Sequence, residues 1–249
     1  MHPQRQNPEA LLNNSALRNG AAFAGSFFFP GGQFMTDLRK QRAERFRNTD
    51  LYLVIGHEFT NGRSVLDVLA AAADGGVRTV QLREKNLSGK ELTLLAEKFR
   101  RKCEELGVLM IMNDHVDIAL AVGADGVHLG QDDMPLEFAR AIAPDLILGR
   151  STHSVEQALE AQAQDADYVN LGPIFPTQTK NTPVKPLGLD IIRAAKPKLA
   201  IPFTVMGGVK EHNMPQLFDA GARILAMVTE LTQAEDVAAK ARAMRALWK

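Results

Sequence analysis

The chain has 249 residues, of which 45% are hydrophobic and 23% charged, a composition that supports a full buried core. Its 29 Lys and Arg residues balance 29 Asp and Glu residues, which excludes a global basic surface for nucleic acid. No apolar run approaches the ~20 residues of a membrane span. The single cysteine, Cys103, cannot form an intrachain disulfide, which favours a cytoplasmic protein. The balanced charge and the short apolar runs predict neither a nucleic-acid nor a membrane partner.

The first 47 residues differ in character from the rest of the chain. Residues 1–34 are rich in Asn, Gln, Gly and Pro and contain the apolar cluster AAFAGSFFFPGG. No Ala-x-Ala-like cleavage site follows this cluster, so a secretory signal is not predicted. We expect residues 1–47 to form a disordered or loosely packed leader, with Met35 as a candidate start of the ordered protein.

From residue 48 onward, short β-rich runs alternate with segments of helical period. Ser as N-cap and a closing Gly frame several helical segments, as in SVLDVLAAAADGG and SGKELTLLAEKFRRKCEELG. Strands are predicted at 51–55, 79–82, 109–112, 126–129, 146–149, 168–171, 203–206 and 224–228. Strands that are apolar on both faces and alternate with helices predict a parallel sheet.

Eight strand and helix units predict an α/β fold of the (β/α)8 TIM-barrel type, with one catalytic domain over residues 48–249. A doubly wound open sheet is the alternative, although it does not need eight units. In a barrel, the chemistry lies where the strands end, at the carboxyl face.

Polar residues follow most of the predicted strands. Strands two to five end in QLREK, MNDH, HLGQDD and GRSTH, and strands seven and eight end in MGGV and VTE. Each of these ends alone is equally an ordinary solvated loop or turn. Their coincidence on one face of a barrel predicts a binding site there. The candidate residues are Gln81, Arg83, Lys85, Asn113, Asp114, Asp133, Ser151, Gly208 and Thr229.

The loop after strand six, GPIFPTQTK at 172–180, contributes a further set of donors. Gly and Pro interrupt the regular backbone, and Thr177, Thr179 and Lys180 supply two hydroxyls and an ammonium with no competing acid. Such an inventory suits a phosphate ester. On this stretch alone, an ordinary polar loop is the alternative.

Sorting these residues by chemistry predicts two phosphorylated substrates. Barrels commonly hold a phosphate after strands seven and eight. Arg83, Lys85 and Lys180 bring more positive charge than one monophosphate needs, which indicates a diphosphate. Asp114 and Asp133 are suitable Mg²⁺ ligands, with two helix-capping carboxylates as the alternative. One of the two substrates would then lose diphosphate.

The chain resembles the thiamine-phosphate synthase family over nearly all of residues 50–235. The resemblance lies in QLREK, NDHVDIALAVGADGVHLGQDD, GRSTHS, DYVNLGPIFPTQTK, MGGV and GARILAMVTE, in this order. It implies a (β/α)8 barrel that joins 4-amino-5-hydroxymethyl-2-methylpyrimidine diphosphate to 4-methyl-5-(2-phosphoethyl)thiazole. The products would be thiamine phosphate and diphosphate.

The resemblance also implies roles for single residues. Asp114 and Asp133 would bind Mg²⁺, and Ser151 and Lys180 would be catalytic. The pyrimidine diphosphate would be held by Gln81, Arg83, Lys85, Asn113, Ser151 and Lys180. The thiazole phosphate would be held by Thr177, Thr179, Gly208, Val228 and Thr229.

Three positions depart from the family pattern. Thr229 stands where serine is common, Arg150 where a small apolar residue is usual, and His57 lies in a first loop without a counterpart. The roles of Arg150 and His57 are therefore open. The oligomeric state is open as well, with a homo-oligomer among the outcomes.

Two other functions compete with the synthase. A thiazole tautomerase of the same fold would use a proton-transferring residue and should lack the threonines and lysine of PTQTK. A non-catalytic protein that binds thiamine precursors should have lost the two aspartates. No nucleophile set is evident, and the thiazole nitrogen can itself attack, so His128 and His153 are predicted to be structural rather than acid/base residues.

Overall fold

The structure, a computed structural model, describes residues 35–177 and 184–248. Within these residues, eight parallel strands pair in chain order, and the last pairs with the first to close a barrel. The predicted (β/α)8 fold is therefore confirmed. The strands are β1 (Leu51–Ile55), β2 (Thr79–Leu82), β3 (Leu109–Asn113), β4 (Gly126–Leu129), β5 (Ile147–Thr152), β6 (Tyr168–Leu171), β7 (Phe203–Val205) and β8 (Ile224–Met227).

Helices follow each strand, and one helix precedes the first strand. The sequence signals at the helix starts are confirmed: the side chains of Ser64, Ser88 and Ser154 each accept a hydrogen bond from the first turn that follows. The described helices are α1 (Asp37–Arg47), α2 (Val65–Asp74), α3 (Gly89–Leu106), α4 (Val116–Val122), α5 (Leu136–Ile142), α6 (Val155–Ala163), α7 (Asp190–Ala195), α8 (Met214–Ala220), α9 (Thr229–Thr232) and α10 (Val237–Arg245). No helix in this part of the chain combines the length and apolarity that a bilayer crossing needs.

Alternation along the strands divides the core in two. Leu51, Leu53 and Ile55 of β1 belong to the large buried layer between strands and helices, whereas Tyr52 belongs to a smaller cluster inside the barrel. The inner cluster also contains Ile111 and Tyr168. Because strands of a closed barrel are covered on both sides, they read in the sequence as continuous apolar runs.

The carboxyl ends of two strands extend beyond their predicted limits. β5 runs to Thr152 rather than to residue 149, because Ser151 and Thr152 stay paired with Asn170 and Leu171 of β6. β3 likewise includes Asn113, paired with His128. Polar side chains that point into the barrel mouth do not interrupt the ladder of backbone hydrogen bonds. Ser151 and Asn113 therefore lie on rigid strand ends, not on loops.

The predicted leader is wrong for residues 37–47, which form α1. Thr36 caps this helix, and Arg39, Ala43 and Phe46 are buried. Phe46 stacks on Tyr168 with 4.1 Å between ring centroids, which places α1 against the amino end of the barrel. α1 is attached to the barrel mainly by ion pairs and by one aromatic ring. Its sequence therefore lacks the apolar period from which docking could be predicted. The prediction for residues 1–34 lies outside the described residues.

Candidate active site

A pocket of about 670 Å³ opens at the carboxyl ends of the strands. Side chains from β2, β3 and β5 and from the loops after β6, β7 and β8 line it. The structure thus brings together residues that are widely separated in the sequence. Those predicted from the sequence are Gln81, Arg83, Asn113, Ser151, Thr177, Gly208, Val228 and Thr229.

Gln81 and Asn113 form part of the pocket floor. Both are nearly buried and point inward from strand ends. The Gln81 side chain donates from Nε2 to the hydroxyl of Tyr52 at 2.6 Å. A buried amide without a partner would be costly, so this bond fixes the orientation of Gln81 at the barrel mouth.

Asp114, Asp133 and Lys85 form a charged cluster beside the pocket. The Lys85 ammonium contacts Asp114 Oδ2, and Asp133 Oδ2 accepts from the Gly130 N–H at 2.6 Å. Burial and the adjacent Asp114 carboxylate raise the pKa of Asp133 above its ordinary value, against the opposing effects of Gly130 and Lys85. Two adjacent carboxylates of this kind are suited to sharing a cation.

A second hollow of about 440 Å³ adjoins the charged cluster. Arg83 lines both hollows, and Lys85 and His57 line this one. His57 stays near Glu84, whose Oε1 lies 2.8 Å from the His57 backbone nitrogen and 2.7 Å from Nδ1. The predicted cations Arg83 and Lys85 therefore line the same cavity.

Ser151 is held on two sides. His128 Nε2 lies 2.9 Å from Ser151 Oγ, and Gln131 donates to the Ser151 carbonyl at 2.5 Å. His128 itself lines the pocket. His128 is predicted to be structural, but its position between the core and Ser151 makes it part of the site.

The loop after β6 is attached to β7 by its backbone. Ile174 donates to the Met206 carbonyl at 2.8 Å, and Phe175 donates to the Gly207 carbonyl at 3.0 Å. The backbone N–H groups of these two residues are therefore already paired within the protein. Thr177 lines the pocket. Thr179 and Lys180 lie outside the described residues.

Gly208, Val228 and Thr229 cluster at the end of the pocket formed by β7 and β8. Lys210 adds a cation that the sequence analysis missed. Its Nζ lies 3.4 Å from Thr229 Oγ1 and 3.1 Å from Glu230 Oε2. The signal was available, because this lysine lies two residues after the Gly pair in MGGVK.

Asn170 was also missed. It lies in β6 and lines the pocket, and its Oδ1 accepts a hydrogen bond from the Thr204 hydroxyl at 2.8 Å. An asparagine within the otherwise apolar run YVNL was the available signal. The side-chain oxygen Oδ1 of Asn170 thus faces Thr204, so the side-chain nitrogen Nδ2 faces away from Thr204.

Arg150 is not among the residues that line the pocket. Its guanidinium donates to the carbonyls of Met134 at 3.4 Å and Gln131 at 3.2 Å. Burial lowers its pKa, against the attraction of Asp133. Arg150, whose role the sequence left open, therefore forms hydrogen bonds to the loop between β4 and α5.

A closed parallel barrel with hydroxyls, cations and paired carboxylates at its carboxyl face defines the class. The protein is a (β/α)8-barrel enzyme whose site is equipped for phosphorylated small molecules.

Comparison with known proteins identifies the family. Residues 51–231 match the family described as thiamine monophosphate synthase, TMP-TENI. The chain is 44% identical over 197 residues to a thiamine-phosphate synthase of Shouchella clausii strain KSM-K16, covering 79% of this chain and 94% of the relative. It is 40% identical over 211 residues to that of Pelotomaculum thermopropionicum, covering 84% and 97%.

A solved structure agrees with these relatives. Thiamine phosphate pyrophosphorylase from Pyrococcus furiosus superposes with a TM-score of 0.74 at 32% identity, covering 83% of this chain and 96% of that one. The chain belongs to the thiamine monophosphate synthase family. It is a transferase of thiamine biosynthesis.

Proposed function

We propose that the chain is a cytoplasmic, Mg²⁺-dependent transferase that joins 4-amino-5-hydroxymethyl-2-methylpyrimidine diphosphate to 4-methyl-5-(2-phosphoethyl)thiazole, releasing diphosphate. The observation that carries the proposal is the pocket itself. It has one end with Arg83 and Asn113 and another with Gly208 and Thr229. Two phosphorylated substrates require two such ends.

The pyrimidine diphosphate would occupy the end near β2 and β3. Gln81, Asn113 and Ser151 offer neutral hydrogen-bonding groups for the ring, and Arg83 and Lys85 offer charge for the diphosphate. Lys180 remains our proposal for a further cation that acts on the departing diphosphate. A guanidinium and ammonium groups together match the charge of the leaving group.

Asp114 and Asp133 would hold Mg²⁺. The fit rests on two adjacent carboxylates in a partly buried position, one of which already contacts an ammonium group. The described residues contain no group of three or more His, Cys, Asp or Glu side chains for a closed cage. Mg²⁺ usually keeps positions for water and substrate phosphate beside one or two carboxylates, and its charge would stabilise the leaving diphosphate.

The thiazole phosphate would occupy the end near β7 and β8. Gly208, Val228 and Thr229 surround this end, and Thr177 reaches it from the loop after β6. Thr179 is proposed to join them. Lys210 supplies positive charge beside Thr229.

The reaction needs no protein nucleophile. The lone pair of the thiazole nitrogen forms a C–N bond to the pyrimidine methylene carbon, and the C–O bond electrons leave with diphosphate. Cys103 could not serve as a nucleophile, because it is buried and burial raises the pKa of its thiol far above the ordinary range. The chain's residues instead hold the two substrates in line and stabilise the leaving charge.

One assay separates the proposed function from its alternatives. The purified chain should release diphosphate only when both substrates and Mg²⁺ are present, and a matching amount of thiamine phosphate should form. A tautomerase would alter the thiazole substrate without releasing diphosphate. A non-catalytic binding protein would bind the pyrimidine diphosphate in calorimetry yet release nothing. Either of these two results would refute the proposal.

A further inference from the structure

A continuous chain of hydrogen bonds crosses the barrel interior. Gln81 Nε2 donates to the Tyr52 hydroxyl at 2.6 Å, and this oxygen lies 2.9 Å from the Tyr168 hydroxyl. The Tyr168 hydroxyl lies 3.0 Å from His128 Nδ1, and His128 Nε2 lies 2.9 Å from Ser151 Oγ. Both ends of this chain, Gln81 and Ser151, line the pocket.

The two tyrosines in the middle of the chain do not reach the pocket. Tyr52 is 1% exposed and Tyr168 is fully buried, within the cluster inside the barrel. They are the only tyrosines of the protein. Within the described part of the protein, the hydrogen bonds between these tyrosines and the pocket run through Gln81 and through His128 and Ser151.

The donor and acceptor inventory gives this chain a direction. An amide nitrogen can only donate, so Tyr52 Oη accepts a hydrogen bond from Gln81. The Tyr52 hydroxyl in turn donates a hydrogen bond to the Tyr168 oxygen. Tyr168 then donates to His128 Nδ1, which must be the unprotonated nitrogen of a neutral ring. His128 consequently carries its proton on Nε2 and donates to Ser151 Oγ. The hydroxyl proton of Ser151 is left to point elsewhere.

The reverse direction requires the Gln81 amide to turn over. With the amide nitrogen facing Tyr52, a reversed chain would leave the buried Tyr52 proton without an acceptor among the described residues. An unsatisfied buried donor is costly, so the orientation of one amide decides the orientation of every hydroxyl that follows. The Gln81 amide and the Ser151 hydroxyl are coupled in this way, although different strands carry them.

We propose that this buried chain positions Ser151 for catalysis. Gln81 sets the tautomer of His128 through the two tyrosines, and His128 holds Ser151 so that its proton is directed at an acceptor of the bound pyrimidine. Gln81 and Ser151 contact substrate, whereas Tyr52, Tyr168 and His128 are positioning residues. The inference rests on the proposed function, because it assigns the pyrimidine to this end of the pocket.

Packing of the aromatic rings keeps this chain of hydrogen bonds in place. Phe46 of α1 stacks on Tyr168 with an interplanar angle of 29° and meets the Tyr52 ring edge-on, with centroids 5.8 Å apart. Gly149 leaves room for Tyr168, because a Cβ there would lie 2.1 Å from the Tyr168 ring. The two hydroxyls are therefore held by rings that cannot easily rotate away.

The first test replaces Tyr168 by Phe, which keeps the ring and removes one link. We expect kcat of Tyr168→Phe to fall on the order of 10-fold to 100-fold, as for other residues that orient a functional side chain, with the thiazole KM unchanged. The matched control is Thr79→Val, which removes a buried hydroxyl of β2 bonded to Thr49 at 2.6 Å. It should lower the melting temperature and leave kcat unchanged.

The second test does not depend on turnover. The wild-type protein labelled with ¹³C at tyrosine Cζ should give two resonances, one for each tyrosine. Saturation with the pyrimidine diphosphate alone should shift both resonances, although neither ring touches the ligand. In Ser151→Ala, the shift at Tyr168 should shrink, because its link to the pocket through His128 is cut.

The outcomes keep the two proposals apart. Unchanged kcat in a folded Tyr168→Phe, or resonances that stay fixed at saturating pyrimidine diphosphate, would overturn the positioning chain. If Tyr168→Phe does not fold, the resonances of the wild-type protein decide. A wild-type protein that binds the pyrimidine diphosphate but releases no diphosphate would refute the proposed function, and the tyrosine shifts would still test the chain.

Discussion

At the scale of single residues, positive backbone φ angles, which most side chains avoid, recur beside the pocket. Asp114 has φ +62° and Gly208 has φ +63°. Asp tolerates this left-handed region better than most residues, and Gly tolerates it best. Such conformations collect at functional sites, where the surrounding structure maintains them to aim a group. Here they orient the Asp114 carboxylate and bring the Gly208 backbone close to the loop after β6.

Replacing Asp114 by Asn should separate metal binding from folding. Asn also tolerates a positive φ, so the backbone of Asp114→Asn should be retained while one negative charge is lost. We expect Mg²⁺-dependent diphosphate release to fall at least about 10-fold, with a nearly unchanged melting temperature. Titration of activity with Mg²⁺ measures the effect.

The control for this change is Asp132→Asn. Asp132 carries the same charge one position before Asp133 but is exposed. It should show wild-type Mg²⁺ dependence. Equal behaviour of Asp114→Asn and Asp132→Asn would show that Asp114 does not hold the metal.

Replacing Gly208 by Ala should disturb the thiazole end of the pocket. A Cβ at Gly208 would lie 2.6 Å from the Pro176 carbonyl oxygen and 2.7 Å from Phe175 Cβ, so the loop after β6 must move. We expect a higher KM for the thiazole phosphate and a loss of about 1 to 3 kcal/mol in unfolding free energy. Steady-state kinetics and denaturant titration measure the two effects.

Gly123→Ala is the matched control, because Gly123 has φ +68° and nothing within 4 Å of an added Cβ. Gly123→Ala should lower the unfolding free energy because of its positive φ, but it should leave the KM for the thiazole phosphate unchanged. A similar rise in KM for both variants would mean that the clash at the loop is not the cause.

At the scale of elements, α1 shows how a helix with little apolar surface docks. Arg39 pairs with Asp165 at 2.8 Å and with Asp167 at 2.9 Å, and Arg140 pairs with Asp167 at 2.6 Å. Asp167 also accepts from the Leu148 N–H at 2.8 Å. Every oxygen of this buried carboxylate therefore has a donor, and α1 supplies one of them.

Arg39→Ala should destabilise the protein strongly. Removing one partner of a buried ion pair leaves charge that water cannot reach, at a cost of about 3 kcal/mol or more. We expect the denaturant midpoint to fall accordingly, with kcat of the remaining folded protein less affected than stability. Denaturant unfolding followed by circular dichroism measures this.

Arg47→Ala provides the comparison on the same helix. Arg47 makes an exposed pair with Glu44 at 3.6 Å, and such pairs contribute little to stability. Equal midpoints for Arg39→Ala and Arg47→Ala would contradict the role assigned to the buried ion pairs.

At the scale of the whole molecule, the closed barrel keeps solvent away from the two tyrosines in its interior. Burial raises the pKa of Tyr52, against the effect of its hydrogen bonds to Tyr168 and Gln81. Burial likewise raises the pKa of Tyr168, together with neighbouring Tyr52 and Asp167. Both rings can ionise freely only when the barrel opens.

Alkaline titration should therefore report global unfolding. Since both folded pKa values lie above the unfolded value of about 10, this contribution to stability is complete below pH of about 10 and is lost as pH rises further. We expect tyrosinate absorbance at 295 nm to appear only together with loss of the circular dichroism signal. Tyrosinate absorbance in a protein that keeps its native dichroism would contradict this.

Much of this molecule follows from the sequence. Strands of the barrel are apolar runs because both faces are covered, and three of the helices begin at serines that satisfy free backbone donors. Polar residues such as Gln81, Asn113 and Ser151 stand at strand ends, where a parallel barrel must gather them. Period, capping and order along the chain are local properties, so the sequence alone determined the eight units and the polar strand ends that line part of the pocket.

Only the tertiary structure decided what contacts what inside the barrel. α1 has no apolar period, and its docking depends on acids some 126 and 128 positions away in the chain. Lys210 and Asn170 entered the site because neighbouring strands placed them there. The bonds from Gln81 to Ser151 join residues of five different strands, at distances that depend on barrel closure and register. Contacts of this kind carry no period or motif, because they arise from the meeting of elements whose own sequences do not encode the partner.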